Sequence, residues 1–109
     1  MRAFLALAAL VSGLHGTVTR GPTMPVCIAG QPCTAPAPGL VLVFSRRGRD
    51  VARVRTGPRG GYRLLLAPGL YDVRTATHPS VGRGLSPRTV RVPRGRVARV
   101  NFALDTGIR

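Results

Sequence analysis

A chain of 109 residues with seventeen arginines, no lysine, no glutamate and three aspartates, for a formal net charge of +14, has room for one domain and one core. The missing lysine rules out Lys–Asn isopeptide crosslinking, and no apolar run reaches the ~20 residues that a bilayer-spanning helix needs. So large an excess of one sign predicts attraction to polyanions, unless the genome simply writes arginine wherever a solvated cation will do.

The N-terminus reads Met1-Arg2, then the apolar run 3–11, then Ser12-Gly13. This is the order of a short basic region, an apolar region and a small-residue cleavage site, so residues 1–13 are expected to be a cleavable signal peptide. Residues 14–109 then form the mature domain, which at under a hundred residues buries about 60–65% of its unfolded surface. Left uncleaved, the same segment would act as an anchor, the one route by which a membrane enters this reading.

Between frequent Gly and Pro turns lie short runs that alternate at period two, with no helical period. Seven strands are predicted, at 15–20, 40–45, 51–56, 62–66, 70–77, 88–92 and 97–104, with Pro/Gly-rich loops at 21–39 and 78–87. The pattern predicts an all-β, seven-stranded antiparallel Greek-key sandwich. Arg46-Arg47-Gly48-Arg49 and Pro93-Arg94-Gly95 read as hairpin turns, and so does the Pro68-Gly69 reversal between 62–66 and 70–77. The alternation turns Val18, Val41, Val43, Val54, Tyr62, Leu64, Tyr71, Val73, Val90, Val92, Val100, Phe102 and Leu104 inward. Arg53, Arg55, Arg63, Arg74, Arg91 and Arg99 then fall outward, where they solubilise the sheet and guard its edges.

Cys27 and Cys33, the only two cysteines, stand in the loop-like string C-I-A-G-Q-P-C of a chain expected to leave the cytoplasm, and a disulfide is the first reading. His15 and His78 stand far apart, so no metal site is expected. Ser45, Ser80 or Ser86 with His78 and Asp72 would supply the residue types of a hydrolytic triad, yet no G-x-S-x-G elbow positions a serine. The Asp105-Thr106-Gly107 string has too little chain after it to wall an aspartic-protease site. With no Trp and few aromatics there is little to stack on a sugar. No catalytic residue and no cofactor are expected. The densest candidate for binding is the closing hairpin, where Arg88, Arg91, Arg94, Arg96 and Arg99 crowd one turn with guanidinium forks suited to phosphate and sulfate. Weak polyanion adhesion is expected there, without specific nucleic-acid recognition.

The run T-G-P-R-G-G-Y-R-L-L-L-A-P-G-L-Y-D-V over 56–73 resembles the G-x-Y/F-x-x-x-L-x-P-G-x-Y-x-V signature of the carboxypeptidase regulatory-like domains, small transthyretin-like (prealbumin-like) β-sandwiches. Gly16-Thr17-Val18, the P-G-L-V-L-V of 38–43 and the stretch from Val90 to Leu104 are similar to the family's first strand, second strand and closing hairpin. Gly57 departs from the family's usual Asp. Transthyretin-like folds also include hydroxyisourate hydrolases, but the D-T-G-I-R tail lacks their C-terminal Y-R-G-S. The resemblance implies a non-enzymatic structural or interaction module, secreted or associated with the cell envelope, with an extracellular partner of unknown kind. A binding protein that captures anionic polymers is the first alternative, a small hydrolase the second.

Overall fold

The computed structural model describes residues 11–76 and 84–105, and among these there are ten strands and no helix. The strands are β1 (Gly13–Gly21), β2 (Ala35–Pro36), β3 (Val41–Arg46), β4 (Arg49–Arg55), β5 (Gly61–Leu65), β6 (Gly69–Thr75), β7 (Gly84–Ser86), β8 (Thr89–Val92), β9 (Val97–Arg99) and β10 (Phe102–Asp105). All seven expected strands are present. The larger count has three sources: β2 and β7 lie inside the two stretches expected to be loops, and the last predicted strand is split into β9 and β10.

Two sheets form a sandwich. One is four-stranded, in the order β4-β3-β6-β8; the other has six strands and is organised around β1. The first half of β1 pairs with β5 and β9, and its second half with β2 and β10, beyond which lies β7. Both β9 and β10 run parallel to β1. The expected purely antiparallel arrangement is therefore corrected: the six-stranded sheet is mixed.

Of the three predicted hairpins only β3–β4 exists. Arg46 pairs with Arg49 across Arg47 (φ 54°) and Gly48 (φ 79°), the two positive φ values of a turn whose twist matches its strands. The Pro68-Gly69 reversal joins β5 to β6, and Pro93-Arg94-Gly95 joins β8 to β9, and each pair is divided between the two sheets. Both turns are crossovers. Gly and Pro mark where the chain reverses, but whether the next strand pairs with the last or crosses the core depends on what else can bury its face.

The core lies between the sheets. Leu14, Val18, Leu42, Phe44, Tyr62, Tyr71, Val73, Leu85, Val90, Val92 and Phe102 are buried there with Ala37. Phe102 meets Phe44 edge-on at 6.4 Å and Tyr62 at 5.6 Å. The inward set holds except in β3, where Leu42 and Phe44 face the core and Val41 and Val43 do not, a one-residue slip of the expected register. The run Leu40 to Phe44 is apolar at every position, so alternation could not choose a face. Val43 is fully buried on the outward side, opposite Arg53 and Arg74, whose methylene stems can shield it.

The split of the last strand also has a local cause. Val100 donates its amide to the His15 carbonyl at 2.8 Å, and then the Asn101 side-chain carbonyl accepts the Thr17 amide at 3.0 Å in place of a backbone oxygen. At this break the Val100 carbonyl lies 2.1 Å from where a Cβ on Gly16 would stand, so only glycine fits there. The exposed Asn101 side chain thus closes a gap in the ladder.

Candidate functional site

The outer face of the four-stranded sheet carries a satisfied polar network. Arg74 donates to both carboxylate oxygens of Asp50 at 2.8 and 2.9 Å, and to the Ser45 hydroxyl at 2.8 Å. Ser45 in turn donates to Asp50 at 2.8 Å, and Arg53 approaches the same carboxylate at 4.0 Å. Hydrogen bonds from Arg74 and then Ser45 hold the Asp50 carboxyl well below the usual carboxylate range, and Asp50 raises the Arg74 guanidinium in return. Asp72 stands beside Ser45 in the register and accepts from Thr89 at 3.5 Å. The network follows from the β3–β4 turn and the register shift at Phe44/Ser45, which set Ser45 opposite Asp50.

Among the described residues the triad types are not brought together. Ser45 and Asp72 are neighbours on this face, but His78 and Ser80 lie outside the described residues, and His15 is on the outer face of the other sheet. Asp105 ends β10, while the rest of the D-T-G string lies outside the described residues. Among the described residues no three His, Cys, Asp or Glu side chains cluster as metal ligands, and no helix is long and apolar enough to cross a membrane.

The five arginines expected to form one patch are divided by the crossover. Arg88 and Arg91 belong to the four-stranded sheet's side, Arg94 and Arg96 to the connection, and Arg99 to β9 in the other sheet. All five are exposed. The prediction relied on a closing hairpin, and without one their clustering in sequence does not carry over to a shared face.

A basic group that sequence reading missed lies across the six-stranded sheet. His15 in β1 stands directly opposite Arg63 in β5 and directly opposite Arg99 in β9. Leu14, Tyr62, Leu64 and Ala98 turn to the core on these strands, so the three basic side chains share the outer face. Arg63 and Arg99 were expected on outward positions, but they lie on strands well separated in sequence. Only the pairing of β1 with both neighbours joins them.

Cys27 and Cys33 are bonded, with Cα atoms 5.5 Å apart. Their loop presents Val26 and Ile28 to solvent and is tied at its base by a Thr23 amide to Cys33 carbonyl bond of 2.9 Å. Two open depressions lie elsewhere. One, of about 780 Å³, is bordered by Thr19, Leu85, Arg88, Leu104 and Asp105, beside strand ends that lead to residues outside the described set. The other, of about 420 Å³, lies between Arg46, Arg47, Leu70, Asp72 and Thr89.

No protein-family model matches the chain, and no curated protein matches it. Among solved structures it is similar to the crystal structure of a DUF3823 family protein from Parabacteroides merdae ATCC 43184, with a TM-score of 0.52 and 22% identity. The match covers 88% of this chain and 46% of that one, so the chain spans under half that protein's length. At this identity the likeness is one of fold alone.

Proposed function

We propose that the chain is a transthyretin-like, carboxypeptidase regulatory-like β-sandwich, exported from the cytoplasm, that acts as a non-enzymatic structural or interaction module outside the cell or in its envelope. The observation that carries this reading is the corner between β5 and β6, within the stretch whose residues resemble the family. There the Tyr71 hydroxyl donates to the Ala67 carbonyl as the chain passes from one sheet to the other. The bonded Cys27–Cys33 pair supports export. So does the leader-like N-terminus, with one refinement of the cleavage point. Ser12 is buried, its hydroxyl accepting the Gly95 amide and its carbonyl the Leu66 amide, so a leader that ends at or before Val11 leaves the sandwich whole.

The test is fractionation of the native host with N-terminal sequencing and thiol titration. Export with oxidised cysteines is expected, whereas recovery from the cytoplasm with two free thiols refutes the localisation. Labelling of Ser45 or Ser86 by a serine-hydrolase probe would refute the non-enzymatic role.

A second reading, capture of anionic polymers, is favoured by the inability of three carboxylates to neutralise seventeen guanidinium groups. Salt-dependent retention on an anionic matrix tests it.

A further inference from the structure

We infer that Arg63, His15 and Arg99 form a binding site for a single oxyanion, a phosphate or sulfate group, on the outer face of the six-stranded sheet. Three strands deliver the three side chains to one row, with β5 antiparallel and β9 parallel to β1. Two strand spacings, ~9.5 Å, separate the Arg63 and Arg99 backbones, a span that two long side chains pointing the same way can close above the imidazole. Guanidinium groups offer planar, paired donors that match the oxygens of phosphate and sulfate, and an imidazole between them adds a further donor.

The surroundings keep the row open and cationic. Toward one end of β1 the next outward row contains Gly13, and toward the other it contains Gly61 beside Thr17, so no bulky side chain rises next to His15 on β1 or next to Arg63 on its Gly61 side. Asn101 extends the site. It is exposed, and because its side-chain oxygen is engaged by Thr17, its amide nitrogen supplies two further donors. Leu65, 63% exposed, gives the Gly13 row an apolar border.

Electrostatics distinguish this row from the other arginines. On the four-stranded sheet Arg74 and Arg53 share Asp50, and Asp72 lies on the same face. Around His15 the facing charged groups are Arg63 from β5 and Arg99 from β9. The described carboxylate on this sheet is Asp105, paired with Gly21 at the far end of β1, ~20 Å away at roughly 3.3 Å per residue. Two guanidinium groups face this row with no carboxylate between them, and a bound oxyanion supplies the missing counter-charge.

The site needs only one oxyanion and no polymer, so its test is separate from that of polymer capture. Sulfate is titrated into the full chain at constant ionic strength and followed by NMR, with phosphate as a second probe. Saturable shifts centred on His15, Arg63 and Arg99 are expected. The double variant R63Q/R99Q should weaken binding by about tenfold or more, while R94Q/R96Q, the same change of charge on the connection, should retain it. H15Q, which loses the imidazole donor between the two guanidinium groups, should bind more weakly than the native chain. Should R63Q/R99Q fail to fold, R63K/R99K keeps the charge and loses the paired donors, and it too should bind more weakly. Equal losses in R63Q/R99Q and R94Q/R96Q, or shifts that never saturate, would overturn the site. Binding unchanged in H15Q would remove His15 from it.

Discussion

Tyr71 does two things with one side chain. Its ring is buried to 3% exposure while its hydroxyl, which cannot be left unpaired there, reaches the Ala67 carbonyl at the corner between the sheets. Arg46 lies over the same ring at 5.5 Å. Tyr71→Ala should cost about 3–5 kcal/mol in urea unfolding, whereas Tyr71→Phe, which loses only the hydrogen bond, should cost about 0.5–1.5 kcal/mol. An equal effect of the two would place the whole contribution in the hydroxyl. Asp50 makes a prediction of a different kind. Its pKa is depressed in the folded protein, so the unfolded chain takes up a proton first on acidification. The stability that Asp50 contributes is complete above its ordinary value of about 4, and it is lost progressively as the pH falls below that towards the lowered folded value. Thermal unfolding between pH 7 and 2 should show this loss in the native protein and a shallower one in Asp50→Asn. Tyr62 has the opposite sign: burial raises its phenol pKa, so its contribution holds below about pH 10 and fades above it.

The element most dependent on a single position is β1, which receives partners on both sides along its length. Gly16 sits where β9 gives way to β10, with the Val100 carbonyl in the space of a Cβ. Gly16→Ala must displace that backbone and should destabilise the fold by about 1–3 kcal/mol or more, with the amides of Thr17 and Val100 losing hydrogen-exchange protection first. The disulfide loop lies at the other extreme. Its ring is short and its apolar tips Val26 and Ile28 are in solvent. Reduction should therefore remove no more than about 2–3 kcal/mol and leave the near-ultraviolet signal of the buried tyrosines unchanged. β3 shows the limit of pattern reading at this scale, since in a strand apolar on both sides the register was settled by Phe44 packing on Phe102 and not by alternation. β2 and β7, two and three residues long, were missed because they have no period to detect. β2 exists because β1 offers it an edge, and the Thr56 hydroxyl holds the following turn by donating to the Ala37 carbonyl and accepting the Leu40 amide.

At the level of the molecule, a charge of +14 on 109 residues repels itself. The melting temperature should rise as salt is added from low to moderate concentration, because screening relieves that repulsion over a Debye length of ~10 Å at 0.1 M. A melting temperature that falls with salt would mean that the Asp50 network outweighs the net repulsion. The all-β class, the seven main strands, the outward arginines and the Cys27–Cys33 bond could be read from residue order, because period-two alternation, turn residues and cysteine number act through local geometry. Which strands pair could not. Pro68-Gly69 and Pro93-Arg94-Gly95 have the chemistry of hairpin turns, and the same reversal serves equally to carry a chain over the core. The choice is made by competition among all strands for a place to bury their apolar faces. That competition dispersed the arginines from Arg88 to Arg99 and set His15 between Arg63 and Arg99, a juxtaposition that distance along the chain conceals because cross-strand contacts depend on register in space.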